Sequence, residues 1–206
     1  MKREEKNILT RQQIMSSAIK EFGRYSFAEA SLNNICKEGN ISKGIIYHYF
    51  KDKDELYLEC VTECFHELTE FLSRNIVINK HVEEDIENYL SLRHGFFTEH
   101  PEYTNIFTNA LLQQPNHLKE EIRIIKRGLD KFNFSFYEEV LEQVELKRGI
   151  SMEEAIDYFS MFQESFNYYF KNNNQGDFIE LFNLHELKLS KFLKIMFYGI
   201  AEEKDR

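Results

Sequence analysis

Residues 32 to 50 contain two short apolar patterns with helical spacing, and a tight break separates them. The first pattern ends at Gly39-Asn40, residue types that interrupt helices, and the second follows Ser42, a residue type that caps helix N-termini. Two short helices joined by a tight turn form a helix–turn–helix, whose second helix is free to enter a DNA major groove. The apolar positions of the two helices are Leu32, Ile35, Cys36, Ile46, Tyr49 and Phe50.

The opposite face of the second helix has a composition that suits nucleic acid. Lys43 supplies a cation, Gly44 leaves the backbone bare, and Ile45 is apolar. Tyr47 and His48 add a hydroxyl and an imidazole. Such groups suit phosphate oxygens and base edges. Ordinary helical hairpins show the same alternation of apolar and polar positions, so this pattern alone leaves DNA binding and simple packing both open.

The residues on both sides of the hairpin extend the pattern into a long, ordered signature. The stretch from Arg11 to Leu56 resembles the N-terminal DNA-binding domain of the TetR (tetracycline-repressor-like) family of bacterial transcription regulators. The matching segments are Ile14…Ala18…Phe22-Gly23, Ser31-Leu32…Ile35, Ile41-Ser42-Lys43-Gly44-Ile45-Ile46-Tyr47-His48-Tyr49-Phe50 and Lys53-Asp54-Glu55-Leu56.

This resemblance implies an all-α protein of about nine helices. An N-terminal three-helix DNA-binding domain would occupy residues 1–53, and a helical effector-binding and dimerisation domain would occupy residues 54–206. The implied partners are double-stranded DNA with a palindromic operator, a second copy of the chain, and a small-molecule effector; no cofactor is implied. The expected DNA-binding residues are Ser31, Asn33, Ser42, Lys43, Gly44, Ile45, Tyr47, His48 and Lys53.

Three residues depart from the usual family pattern. Ser26 and Asn40 stand where glycine is common, at places where the chain can need a positive φ, which Asn tolerates better than Ser. We therefore expect a conserved turn at Asn40 and a differently closed loop at Ser26. Ile45 replaces a common threonine and offers an apolar surface, suited to a thymine methyl, in place of a hydroxyl.

Composition also favours an all-α protein, because the 206 residues include 2 Pro and 8 Gly and show long stretches of helical periodicity. The first helix is expected to open after Thr10. Later helices are expected at about 54–78, 82–98, 102–112, 118–147, 152–171 and 178–199.

The location of the protein is expected to be cytoplasmic. The N-terminal segment is charged and lacks the apolar core of a signal peptide, and no apolar run reaches membrane-spanning length.

Cys60 and Cys64 lie one helical turn apart near His66, but no second ligand pair follows at zinc-binding spacing. We expect free, buried thiols and no metal site.

The formal net charge of −9 is unusual for a DNA-binding protein, but it is unevenly distributed. Residues 1–57 carry 10 Lys and Arg against 8 Asp and Glu, whereas the rest of the chain carries 16 against 27. Phosphate affinity depends on the local field near the reading helix, so an acidic body is compatible with DNA binding.

Aromatic side chains are abundant, with 19 Phe and 11 Tyr, and many cluster beyond residue 95. Core packing explains any single one of them. As a set they outnumber the aromatic side chains that one helical face requires for core packing, so we expect some of them to line a cavity for a flat or apolar effector. The candidate effector-binding residues are Arg93, His94, Phe96, Phe97, His100, Phe107, Phe132, Phe136, Phe162, Gln163, Phe166 and Asn167.

The last two predicted helices have broad apolar faces. They could simply cover the core, but the family resemblance implies that they pair with the same helices of a second subunit. The expected interface residues are Met152, Phe159, Phe166, Leu184 and Phe192.

Sequence signatures of enzymes are absent: there is no Gly-x-Ser-x-Gly elbow, phosphate-binding Gly-rich loop or His-Glu-x-x-His. The preferred hypothesis is a homodimeric, effector-responsive transcription regulator, a repressor without catalytic activity. The alternative is a helical small-molecule-binding protein or enzyme that retains an unused DNA-reading head.

Overall fold

The computed structural model describes residues 3–79, 81–174 and 176–201. In these ranges the chain forms nine α-helices and one short 3-10 turn without any strand, which confirms the all-α class. The elements are α1 (Arg3–Phe22), α2 (Leu32–Glu38), α3 (Lys43–Tyr49), α4 (Lys53–Asn75), α5 (Val82–Glu99), α6 (Pro101–Leu112), the 3-10 turn (Asn116–Leu118), α7 (Lys119–Leu141), α8 (Met152–Asn173) and α9 (Phe178–Ile200).

Two predicted helix boundaries were wrong. Helix α1 already includes Arg3, because Glu4 and Glu5 favour a helix N-terminus and the Thr10 hydroxyl donates to the Lys6 carbonyl within the helix rather than capping it. Helix α7 ends at Leu141 rather than near 147. The Lys147 backbone N–H instead donates to the Ile200 carbonyl at 2.8 Å, so this segment pairs with the end of α9.

The helices divide between two compact units. The first contains the residues up to Phe65 together with His100–Lys126, and the second contains His66–Glu99 together with the residues from Arg127 onward. Buried side chains of α1, α2, α3 and α4 form the core of the first unit: Ile14, Ala18, Phe22, Ile35, Ile46, Phe50, Leu56, Tyr57, Cys60 and Val61. Buried side chains of α5, α7, α8 and α9 form the core of the second: Ile86, Tyr89, Tyr137, Val140, Ala155, Phe159, Phe170, Leu189, Leu193 and Phe197.

The turn between α2 and α3 depends on two adjacent residues. Asn40 has a φ of 48°, which confirms the positive φ expected there, and it is the one such non-glycine residue in the ranges given above. At Gly39 a Cβ would come within 2.6 Å of side-chain atoms of both Ser17 and Ile41, so these side chains would have to shift to admit any other residue. The Gly39 carbonyl also accepts a 2.6 Å hydrogen bond from the Gln13 side chain of α1.

The loop after α1 closes without a positive φ at Ser26. The Ser26 hydroxyl donates to the Glu29 carboxylate at 2.7 Å, and the Ser26 backbone N–H donates to the same carboxylate oxygen at 3.2 Å. The loop is therefore closed by hydrogen bonds to the Glu29 side chain, and it does not need the positive φ that a glycine would allow at position 26.

Two of the three cysteines are buried in the first unit. Burial raises the pKa of the Cys60 and Cys64 thiols, so neither is poised to react as a thiolate. Among the residues described, no three His, Cys, Asp or Glu side chains come together in a way that could hold a metal ion. Within the same residues, no helix is both long and apolar enough to cross a membrane.

Candidate nucleic-acid interface

Helix α3 presents nearly its whole surface outward. Ile46 is its one fully buried residue and anchors the helix to the core of the first unit. Lys43, Gly44 and His48 are exposed, and so are the apolar or aromatic side chains Ile45 (38% exposed) and Tyr47 (49%). A short helix anchored on one side, with a cation, hydroxyl, imidazole and apolar group on the other, has the form of a major-groove reading helix.

Contacts at both ends hold α3 in place. The Ser42 hydroxyl oxygen accepts the Ile45 backbone N–H at 3.3 Å and so caps the N-terminus. At the other end the Tyr49 hydroxyl donates to the backbone carbonyl of Asn7 at 3.3 Å and also contacts its side-chain carbonyl. The early turns of α1 therefore support the reading helix, a link that the sequence pattern did not reveal.

A buried carboxylate organises the start of α2. One oxygen of Glu21 accepts both the Ser31 backbone N–H and the Asn34 side-chain N–H, each at 2.9 Å. The Ser31 hydroxyl oxygen caps α2 by accepting the Asn33 backbone N–H, which leaves its O–H able to donate outward. Asn33 is exposed, so Ser31 and Asn33 lie at the surface end of α2 where a DNA backbone could be contacted.

The start of α4 carries Lys53, the last of the predicted DNA-binding residues. The Asp52 carboxylate caps this helix by accepting the Glu55 backbone N–H at 2.9 Å. The Lys53 ammonium lies 4.5 Å from the centroid of the Phe27 ring. Partial burial lowers the pKa of Lys53, although Asp54 and Glu21 act in the opposite direction. All nine predicted DNA-binding residues therefore lie in the first unit, on α2, α3 and the start of α4.

Comparison with known proteins gives the same assignment. The family profile described as "Bacterial regulatory proteins, tetR family" matches residues 14–60, which span the helix–turn–helix and the start of α4. The chain is 25% identical over 180 residues to the HTH-type negative transcriptional regulator IcaR of the biofilm operon icaADBC from Staphylococcus epidermidis. That alignment covers 87% of this chain and 90% of IcaR. Residues 14–60 therefore match the TetR family in the part of the chain that contains the helix–turn–helix.

Solved structures of TetR proteins have the same fold over most of the chain. A putative tetR family regulator from Shewanella sp. PV-4 has a TM-score of 0.61 at 17% identity, covering 94% of this chain and 99% of that one. The transcriptional regulator FadR from Bacillus subtilis, solved in complex with stearoyl-CoA, has a TM-score of 0.62 at 18% identity, covering 87% and 97%. At these identities the likeness shows a common fold.

Two of the five polar candidates for effector binding, Arg93 and Asn167, are hydrogen-bonded to other side chains of the second unit. In the second unit the Arg93 guanidinium donates hydrogen bonds to both carboxylate oxygens of Glu186, at 3.1 and 2.9 Å, and to the Tyr89 hydroxyl at 3.1 Å. The Asn167 side-chain carbonyl lies 2.8 Å from the His185 ring. His94 is exposed and Gln163 is half-buried. His100 belongs to the first unit, where its ring lies beside Tyr103.

The aromatic candidates do not form one group. Phe107 packs against Phe65 in the first unit. In the second unit Phe96 and Phe97 are buried, and Phe136 stacks on Tyr89 with ring centroids 4.7 Å apart. The remaining candidates also lie in the second unit: Phe132 is half-buried, Phe162 is 43% exposed, and Phe166 stacks on Phe192.

Sequence reasoning missed several polar side chains that are buried without a hydrogen-bond partner. In the first unit these are the Tyr57 hydroxyl on α4, and the Thr108 hydroxyl and both polar atoms of the Asn109 amide on α6. In the second unit the Asn133 side-chain nitrogen and the Gln143 side-chain oxygen lack a partner, although the Asn133 oxygen accepts the Tyr89 hydroxyl at 2.8 Å. An unpaired buried polar group costs about 1–3 kcal/mol, so such groups are candidates for ligand contact. The available signal was a polar residue inside an apolar run, as in Asn105–Leu112.

The predicted dimer residues have unequal exposure. Phe159 is buried between Tyr137 and Phe197, Phe166 is 8% exposed, and Met152 and Phe192 are half-buried. Only Leu184 is well exposed, at 36%. Other apolar side chains on α8 and α9 are more exposed: Tyr158, Met161, Phe162, Tyr168, Tyr169, Leu187, Ile195 and Tyr198.

Proposed function

We propose that this chain is a homodimeric repressor that reads a palindromic operator with α3 and leaves it when a small, largely apolar or aromatic effector binds. The observation that carries the DNA-reading part is the exposure of Lys43, Gly44, Ile45, Tyr47 and His48 on a helix anchored by Ile46. Tyr47 and His48 would contact phosphates, and Lys43 would reach a phosphate or a guanine edge.

We assign the two proposed functions to consecutive parts of the chain. Residues 1–53 read DNA, and residues 54–206 bind the effector and form the dimer. Two-fold symmetry then requires two half-sites whose major grooves lie about 34–36 Å, or a multiple of that, apart. The exposed apolar faces of α8 and α9 support dimerisation, because unpartnered faces of this kind mark protein–protein interfaces.

Repression and effector control are supported by named relatives and by the second unit itself. IcaR is a negative regulator, and FadR from Bacillus subtilis was solved with stearoyl-CoA. The second unit of this chain contains many aromatic side chains, and the Asn133 side-chain nitrogen is buried there without a partner. We propose Asn133 as a polar anchor for an otherwise apolar ligand.

Gly44 gives the sharpest structural test of DNA reading. A Cβ at Gly44 would meet nothing closer than the Ser42 hydroxyl oxygen, at 4.0 Å, so the fold does not require glycine there. We expect Gly44→Ala to leave stability unchanged or to raise the free energy of unfolding by up to about 1 kcal/mol. If the start of α3 lies in the groove, the added methyl crowds DNA and weakens binding by about 1–3 kcal/mol.

The matched control is Gly128→Ala on α7, where a Cβ would also meet nothing within 4 Å. It should stabilise the fold similarly and leave DNA binding unchanged. Urea unfolding and a gel shift with the chain's own promoter region give the two readouts. If Gly44→Ala binds DNA like the parent, the backbone of α3 does not lie against DNA. If the parent does not bind the promoter, the result favours the alternative hypothesis, a helical small-molecule-binding protein or enzyme that does not use its DNA-reading helix.

A further inference from the structure

Phe27 lies at the centre of a cluster in the first unit that the DNA-reading pattern did not include. Its ring centroid lies 5.0 Å from that of Tyr57 and 6.5 Å from that of Phe22, so two core residues fix its position. The His117 ring packs against it in an edge arrangement, with ring centroids 5.8 Å apart. The Lys53 ammonium lies 4.5 Å from its centroid.

This arrangement constrains a side chain that is otherwise highly flexible. A lysine has four rotatable stem bonds, and ordering a free lysine at a DNA phosphate costs side-chain entropy. An ammonium over an aromatic face is attracted by the ring quadrupole, with a strength that depends on desolvation. Lys53 is half-buried, so its ammonium is held near the ring before any DNA arrives.

We propose that Phe27 is a positioning residue that holds the Lys53 ammonium where it contacts the operator backbone at the start of α4. The inference rests on the proposed function, because it requires that Lys53 contact phosphate. Phe27 itself does not contact DNA. It restricts the conformations of the Lys53 side chain before DNA binds, so less side-chain entropy is lost on binding, which is preorganisation.

The test is a double-mutant cycle on binding to the promoter DNA of the chain. Lys53→Met keeps the aliphatic stem and removes the charge, and we expect it to weaken binding about tenfold and to reduce the salt slope by about one. Phe27→Leu keeps apolar bulk and removes the ring face, and we expect a loss of about three- to tenfold. In the double variant the loss should not exceed that of Lys53→Met alone, because without the charge the ring has nothing to position.

Phe27→Tyr is the rescue variant, because it keeps the aromatic face and should bind DNA within about twofold of the parent. Thermal unfolding of each variant separates positioning from packing, since a purely structural Phe27 would lower stability and weaken DNA binding regardless of the residue at position 53. If Phe27→Leu does not fold, Phe27→Met supplies similar apolar volume for the same cycle.

Three results would overturn the proposal: normal binding by Phe27→Leu, full additivity with Lys53→Met, or a Lys53→Met variant that binds like the parent at every salt concentration. These results differ from a failure of the proposed DNA-binding function, because in that case the parent chain itself would not bind the promoter DNA.

Discussion

Replacing Glu186 with Gln is expected to lower the free energy of unfolding by about 3–5 kcal/mol. The Glu186 carboxylate is 10% exposed and accepts two hydrogen bonds from Arg93, whose side chain is 3% exposed. Removing the negative charge leaves a guanidinium buried without its counter-ion, which is among the most destabilising changes in a protein interior. Urea unfolding followed by circular dichroism measures the loss.

Glu87→Gln is the matched control in the same unit. Glu87 pairs with Lys194 at 2.6 Å, but its side chain is 62% exposed, so solvent screens the pair and its loss should change the free energy of unfolding far less than Glu186→Gln does. The double variant Arg93→Met with Glu186→Leu should recover much of the stability lost in Glu186→Gln, because neither charge of this pair is then left buried without the other. A loss below about 1 kcal/mol in Glu186→Gln would mean that solvent or a ligand reaches Arg93.

The same pair gives a pH dependence with a definite sign. Burial alone would raise the pKa of Glu186, but the adjacent Arg93 and His185 hold it at about 2. A carboxylate whose pKa is lower in the folded state stabilises the fold above its unfolded pKa, and this contribution is lost as pH falls through the folded value. Between neutral pH and about pH 2, the stability advantage of the parent over Glu186→Gln should therefore shrink.

Introducing two charges on the apolar face of α8 and α9 is expected to separate the dimer. Met161 and Leu187 are each 56% exposed, so Met161→Glu with Leu187→Glu should leave the fold intact while placing carboxylates in the proposed interface. A monomer has one reading helix for one half-site, so the operator affinity should fall by about 10²–10⁴-fold. Sedimentation velocity and a gel shift measure the two effects.

Val77→Glu is the control for this pair of substitutions. Val77 is 60% exposed in the same unit but lies outside α8 and α9, so this variant should remain dimeric and bind DNA normally. Charged substitutions at Phe166 or Phe159 would be poor tests, because both side chains are buried and a charge there threatens folding. A double variant that stays dimeric would place the interface elsewhere, and a monomer with parental affinity would contradict dimeric operator reading.

The DNA-reading unit was predictable from sequence because its signals are local. Ser42 as a cap, the positive φ of Asn40 and the burial of Ile46 each depend on neighbouring residues, and all are present in the structure. The supports of α3 were not predictable, because the Tyr49 contact with Asn7 joins positions far apart in sequence. The same holds for Glu21, whose polar side chain gave no sign that it would be buried at the start of α2.

The second unit was harder to interpret because helical periodicity finds apolar faces without saying what covers them. Phe159 and Phe162 stand three residues apart on one face of α8, yet the first is buried by Tyr137 and Phe197 and the second is 43% exposed. Arg93 was a candidate effector anchor, but its partner Glu186 comes from a helix much later in the chain. Long-range pairing of this kind leaves no periodic signal in a single sequence.

Titration of the chain with DNA from its own promoter region, at about 50 and 200 mM salt, tests operator reading by α3 most directly. We expect the chain to bind promoter DNA at least about 10³-fold more tightly than a scrambled duplex, and this affinity should fall about 10³- to 10⁵-fold between the two salt concentrations. Tyr47→Ala should weaken promoter binding by about 1–3 kcal/mol while the fold is retained, because Tyr47 is 49% exposed. Equal affinity for promoter and scrambled DNA, or parental affinity in Tyr47→Ala, would contradict operator reading by α3.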